Sequence, residues 1–185
     1  MKKIILIFLL LITSNIMAED YYAKISLGQQ NGQDGEQDAI EGGGVLGLKL
    51  NSNISTEIKA MHKQKDHNGF GTRISVAIIG KVKLLDDLSV NIRVAAGNKK
   101  TNTSTFNFWA ITPSLKYKID DKWSIKGGIR FRDAFDTDQH RDYTETFKAG
   151  IGYKLTEDKI LSIGFKRKVG DSEYNAIGVG YGISF

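Results

Sequence analysis

Lysines and arginines are the side chains best able to do chemistry in this chain, and their spacing says which chemistry. Lys59, Arg73, Lys81, Arg93, Lys116, Lys126, Arg130, Arg132, Lys148 and Lys166 all fall in stretches where apolar and polar residues alternate, on the polar parity. Period two sends successive side chains to opposite faces of a strand, so these cations share one face. Lys24, Lys49, Lys63, Lys83, Lys118, Lys154 and Lys168 have the same parity. Only one acid, Glu57, falls among them. Asp34, Glu36, Asp38, Glu41, Asp133, Asp136, Asp138, Asp142, Asp171 and Glu173 gather in the connections instead. A surface of ammonium and guanidinium groups attracts anions, and the arginine fork suits carboxylates in particular.

Other chemistries find little support. The chain has no cysteine, which excludes disulfides, thiol catalysis and thiolate metal sites. A hydrolytic triad needs a histidine beside serine and carboxylate. His62 lies on the apolar parity with no serine partner in its surroundings, and His67 sits in a polar connection beside Asp66. The acids between Asn31 and Glu41 lack calcium-loop spacing, and Gly42-Gly43-Gly44 lacks the lysine and helix of a phosphate loop. The expectation is therefore no enzyme, no metal and no cofactor.

The elements that position the basic face follow from the same period. Lys2-Lys3, an apolar run from Ile4 to Ile12 and a small residue at Ala18 have the form of an export signal over residues 1–18. Its removal takes two of the 26 basic residues and leaves 167 residues at a net charge of +3. No later segment is apolar for long enough to cross a membrane as a helix. Instead, ten amphipathic stretches recur, at 21–29, 44–50, 54–63, 72–84, 88–97, 105–119, 123–132, 143–155, 160–168 and 177–185. Asn51-Ser52-Asn53, Asp86-Asp87, Asp120-Asp121-Lys122 and Thr156-Glu157-Asp158-Lys159 are tight polar turns that recur about every 35 residues. The connections between them, around 30–43, 64–71, 98–104, 133–142 and 169–174, are longer.

Which face is buried decides the class. A soluble sandwich buries its apolar faces, whereas an outer-membrane barrel turns them to lipid and its polar faces to a lumen. Aromatics cluster near strand ends: Tyr21, Tyr117, Trp123, Tyr153, Tyr181 and Phe185 by the short turns, and Trp109, Phe131, Phe147 and Phe165 by the longer connections. The pattern predicts an all-β chain over 19–185: a transmembrane antiparallel up-and-down β-barrel of about ten strands (eight or twelve being the neighbouring solutions), its termini on the periplasmic side. A dry core cannot hold so many cations without counter-charges, so the lumen should be wet and positive. Lys49, Lys83, Lys118 and Lys154, near the short turns, could instead snorkel to water. The acidic connections could pair with Arg73, Arg132 and Lys168 at the outer rim. Phe106 and Phe108 have inward parity, where they could stack on a sugar ring or plug the pore, although such residues more often reflect a register or rim effect. Export and a lipid-type face argue against nucleic acid as a partner.

The final strand, with Val179, Tyr181, Ile183 and Phe185 at alternate positions, resembles the C-terminal signal by which bacterial outer-membrane barrels engage the barrel-assembly machinery. A second resemblance covers about residues 115–168. Asp120-Asp121-Lys122-Trp123-Ser124-Ile125, Ile129-Arg130-Phe131-Arg132 and His140-Arg141 are similar to the oligogalacturonate-specific porins. These are small monomeric channels for acidic sugars with basic tracks lining the lumen. The resemblance implies Lys126, Arg130, Arg132, Lys148 and Lys166 as carboxylate ligands, and a monomer in contact with outer-membrane lipid and lipopolysaccharide. That family uses twelve strands, so ten here imply a narrower lumen. The omptin-type proteases do have ten strands and an aspartate–histidine site, but on much longer chains with large loops. The expected function is passive passage of small acidic solutes through a basic lumen. A non-conducting structural, adhesive or lipopolysaccharide-binding barrel is the competing class.

Overall fold

Alternating faces need a surface that closes on itself if no strand is to be left with unpaired backbone groups at a membrane edge. The computed structural model shows this arrangement. It describes residues 20–32, 38–66, 69–136, 142–171 and 173–185. The expected export signal, and also Asp34, Glu36, His67, Asp138, His140 and Arg141, lie outside the described residues.

Ten antiparallel strands form one closed barrel: β1 (Asp20–Gly32), β2 (Ala39–Lys49), β3 (Ile54–Lys65), β4 (Phe70–Lys83), β5 (Leu88–Thr101), β6 (Thr105–Lys118), β7 (Trp123–Ala134), β8 (Thr144–Lys154), β9 (Lys159–Gly170) and β10 (Tyr174–Ser184). Each strand pairs with its sequence neighbours, and β1 closes the sheet on β10 from Tyr22↔Ser184 to Gly32↔Tyr174. Backbone bonds between Tyr21 and Phe185 extend that seam to the end of the chain. The ladder is interrupted once between β6 and β7, where pairing jumps from Ile111↔Phe131 to Ser114↔Gly128. Pro113 sits in that gap and has no N–H to give.

The four short turns are built alike. In each, the backbone N–H of an apolar residue donates to the carbonyl four positions on: Leu50 to Ile54, Leu84 to Leu88, Ile119 to Trp123 and Leu155 to Lys159, all at 2.9 Å. Side chains fix the bend from within. Asn51 Oδ1 accepts the N–H groups of Asn53 and Ile54, and Asp120 Oδ1 those of Lys122 and Trp123. At the second short turn Lys83 donates to Asp86 at 2.7 Å, which holds that exposed carboxyl below its ordinary range.

Outside, the barrel is apolar. Ile25, Leu46, Ile58, Ile78, Val94 and Ile163 are 51–67% exposed, as only a lipid-facing surface would leave them. Trp123 and Tyr153 pack 4.7 Å apart near the short turns, in the place of an interfacial girdle. Among the described residues no helix is long and apolar enough to cross a membrane.

The observed strands outrun the alternating stretches at their outer ends. β2 begins at Ala39 and takes in Gly42-Gly43-Gly44, and β5 runs on to Thr101. The connection expected over 30–43 is therefore much shorter, and Glu41 belongs to a strand.

Candidate functional site: a basic lumen

Register sets the expected cations of each strand on one parity, and Lys59, Arg73, Arg130, Lys148 and Lys166 line a cavity inside the barrel. On one parity, β3 turns in Glu57, Lys59, Met61 and Lys63; opposite them β4 presents Ala77, Ser75, Arg73 and Gly71. Arg93 of β5 faces Ile79 of β4 and Thr112 of β6. Lys81 follows on β4, Lys116 on β6, Lys126, Arg130 and Arg132 on β7, Lys148 on β8 and Lys166 on β9. Three pairs of cations stand directly opposite one another: Arg73↔Lys99, Lys116↔Lys126 and Lys148↔Lys166. Like charges at such positions weaken a sheet unless counter-charge or solvent separates them, and Lys99 and Lys166 each have a carboxylate partner.

The lumen has two halves. Toward the short turns, the inward side chains of Lys24, Ser26, Lys81, Lys126 and Ser162 are exposed. A cavity of about 460 Å³ opens there between Tyr22, Lys49, Ser55, Ile79, Lys81 and Asn91. A second cavity of about 280 Å³ lies at mid-barrel. Its one wall is nearly bare, formed by Gly28 of β1, Gly164 of β9 and Gly178 and Gly180 of β10. Its other wall carries Lys59, Arg73, Arg130 and Lys148, with Lys166 at the side. Arg130 reaches Thr146 Oγ1 at 3.3 Å, and its Nε is buried with no protein partner. Arg93 Nη2 is in the same position.

The outer half is packed. Arg132, Gln30, Thr144 and Thr146 are essentially inaccessible. Phe106 and Phe108 join Ala77, Ala95, Ala110 and Ala134 in an apolar cluster inside the barrel. The two phenylalanines, expected to stack on a sugar or fill the pore, here fill it. Each also lies under a cation, Lys99 at 5.1 Å from the Phe106 ring centre and Arg132 at 5.7 Å from that of Phe108. Tyr174 is flanked by Lys63 and Lys168 in the same manner.

The count of inward acids needs correcting. Among the described residues, three carboxylates turn in besides Glu57: Glu41, from the glycine-rich start of β2, Asp142, just ahead of β8, and Asp20 at the rim, beside Lys49 in the wall of the larger cavity. Glu57 binds Arg93 Nε at 3.0 Å and accepts from Tyr22 Oη at 2.9 Å. The Tyr22 ring lies flat over Gly47, where an added Cβ would meet it at 2.1 Å. Glu41 pairs with Lys166 and accepts from Gln30 Nε2 at 2.8 Å. Asp142 holds Lys99 at 2.7 Å and Arg132 at 2.5 Å. Lys99, in a polar stretch that reads as a connection, joins the inward parity of β5. The expected pairing of acidic connections with rim cations is observed for Arg132. Among the described residues, these acids leave Lys59, Arg130 and Lys148 at mid-barrel without a carboxylate in ion-pair contact.

His62 faces outward, its Nδ1 3.1 Å from Thr72 Oγ1 and its ring stacked on Phe70. Among the described residues no group of histidine and carboxylate side chains could hold a metal. Val179, Tyr181 and Ile183 share one parity of β10, and Phe185, one residue past its end, is 68% exposed.

With this geometry, the chain is an outer-membrane β-barrel. It matches no known family model and no curated protein. Solved structures supply the comparison. An outer membrane channel from Pseudomonas putida F1 is 9% identical, with 90% of this chain and 95% of that one aligned and a TM-score of 0.57. The outer membrane protease OmpT from Escherichia coli is 10% identical, covering 94% and 99%, also at 0.57. The KdgM porin in complex with disordered oligogalacturonate is 14% identical, covering 90% and 98%, at 0.49. At such identities the likeness shows the fold alone, and a channel and a protease share it equally.

Proposed function

We infer that the barrel is a porin-like outer-membrane pathway for passive passage of small anionic solutes, acidic sugars among them. The observation that supports this best is the set of inward like-charged pairs, Arg73↔Lys99, Lys116↔Lys126 and Lys148↔Lys166. A barrel selected only for stability would set carboxylates or apolar groups at those places. A row of cations in a narrow aqueous passage concentrates anions and repels cations. Lys59, Arg73, Arg130 and Lys148 around the glycine-walled cavity form the constriction in this reading, with Lys81, Lys116 and Lys126 drawing solute along the wider half. Arg93, Arg132 and Lys166 are partly neutralised by their carboxylates and shape the path rather than fill it with charge. The barrel works as a monomer in lipid and lipopolysaccharide, and Phe185 with its alternate neighbours serves as the assembly signal.

Purified protein in planar bilayers tests the reading. Conductance steps with anions more permeant than cations are expected. No steps at all would remove the pathway, and cation preference would contradict the role given to the lumen. Replacing both Arg130 and Arg132 by Glu should abolish or reverse the preference while the barrel still inserts.

The packing of the outer half around Arg132, Gln30, Thr144 and Thr146 favours a second reading. In it the barrel conducts nothing and serves as a structural, adhesive or lipopolysaccharide-binding protein. The same bilayer recording separates the two.

A further inference from the structure

Where the inner wall carries a carboxylate, a cation answers it: Asp20 meets Lys49, Glu57 meets Arg93, Glu41 meets Lys166, and Asp142 meets Lys99 and Arg132. The mid-barrel cavity of about 280 Å³ breaks this rule. Lys59 of β3, Arg73 of β4, Arg130 of β7 and Lys148 of β8 all line it, from two pairs of strands that lie apart in the sheet. Lys148 is within electrostatic range of the other three. Among the described residues no carboxylate forms an ion pair with any of the four. Glu41 stands at the cavity's edge, already bound to Lys166 and Gln30. Glu57 is in range of Lys59 and Asp142 of Arg73, but both are held by other cations. The two guanidinium groups have weak acceptors only. Arg73 Nη2 donates to the Met61 sulfur at 3.0 Å and Arg130 Nη2 to Thr146 Oγ1 at 3.3 Å, while Arg130 Nε is buried with no protein acceptor.

Resting on the anion-passage reading, we propose that this cavity is a binding site for a phosphoryl dianion, either inorganic phosphate or the head of a small phosphate monoester. A carboxylate carries one charge and two coplanar oxygens, and the chain matches its own carboxylates to one or two cations. A phosphoryl group carries nearly two charges and three strong acceptor oxygens pointing in different directions. It can therefore accept at once from Arg130, from Arg73 and from the two lysines, which approach from separate parts of the wall. The volume lies just under the roughly 300–1,000 Å³ of sites for drug-sized ligands, so the occupant is small. Gly28, Gly178 and Gly164 stand in one row across β1, β10 and β9 and leave the facing wall bare, with room for a short organic remainder. Entry is from the half toward the short turns, since the exposed inward Ser26 and Ser162 also line the cavity.

Calorimetric titration of the folded full-length barrel in detergent tests this, with sodium phosphate, glycerol 3-phosphate and sodium acetate as separate ligands. Ionic strength is held constant and the pH well above the second phosphoryl pKa of about 6. One saturable site is expected for a phosphoryl ligand, at least about tenfold tighter than for acetate. Tighter binding of inorganic phosphate assigns the site to the free ion, and tighter binding of glycerol 3-phosphate assigns it to the monoester. Lys148→Gln and Arg130→Gln should each weaken binding by about tenfold or more. Lys122→Gln, in an exposed turn, should not. The unfolding midpoint of the wild type should rise with the phosphoryl ligand and not with acetate, and rise less in Lys148→Gln. Lys148→Gln removes one of four mutually repelling charges and decides the matter if Arg130→Gln fails to fold. Absence of saturable phosphoryl binding, equal affinity for acetate, or affinity unchanged in the folded lumen variants would overturn the site. Anion-selective conductance without phosphoryl binding leaves the pathway and removes this site. Phosphoryl binding without conductance leaves the site and removes the pathway.

Discussion

Gly97 and Gly80 show how differently one residue type is used on the two faces. An added Cβ at Gly97, on the inward parity of β5, would lie 2.3 Å from the Ile74 carbonyl oxygen, a backbone atom that cannot step aside. At Gly80, on the outward parity of β4, it would meet nothing within 4 Å. Gly97→Ala should therefore cost about 1–3 kcal/mol through overpacking, whereas Gly80→Ala should be neutral or stabilise by about 0.4–1 kcal/mol by restricting the unfolded chain. Urea unfolding of the two variants in detergent checks the pair, and equal effects would mean that strand approach at Gly97 is looser than drawn. The inward cations were legible at this scale because parity alone fixes them. Glu41 was not, because three consecutive glycines erase the alternation that would have announced its strand. Lys99 was hidden for a related reason: Asn98, Lys99, Lys100 and Thr101 are all polar, so neither face declares itself.

The hairpin is the repeating element, and its short turns hold the register. Asp120 Oδ1 accepts two backbone N–H groups, from Lys122 at 2.7 Å and Trp123 at 2.6 Å. Asp120→Ala leaves both donors to water and should destabilise the barrel by about 1 kcal/mol. Asp121→Ala, one position along, is the control and should change little. A loss confined to Asp120, read from unfolding midpoints, supports the turn's role; equal losses would assign the effect to charge instead. The four turns share one backbone bond, yet their sequences differ enough that only those at Asp86 and Asp120 look alike by eye. The outer strand ends were the least legible elements. Beyond the membrane both faces of a strand meet water, so hydrophobic period two has nothing to mark.

At the scale of the whole molecule the barrel interior is accessible toward the short turns and packed toward the other end. That asymmetry makes Arg130 the pivot between an open lysine-bearing half and the buried half above it. The double replacement of Arg130 and Arg132 by Glu thus changes sign at the constriction and just beyond it, and its effect on selectivity should exceed that of replacing Lys81 and Lys116, where the lumen is more open. Fold likeness gives no help in choosing a function, since a channel and a protease align equally well. The lumen's own charge has to carry the choice.

The sequence by itself determined that the chain is a transmembrane barrel of about ten strands, with a lipid face and a basic inner face. Period two is a local property, and a strand's neighbours along the chain suffice to reveal it. Only the tertiary structure decided which cations are neutralised and where the lumen closes. Lys166 meets Glu41 from 125 residues away, and Lys99 meets Asp142 across 43. Such contacts depend on how the sheet closes and how far each side chain reaches across it, and no local period encodes either.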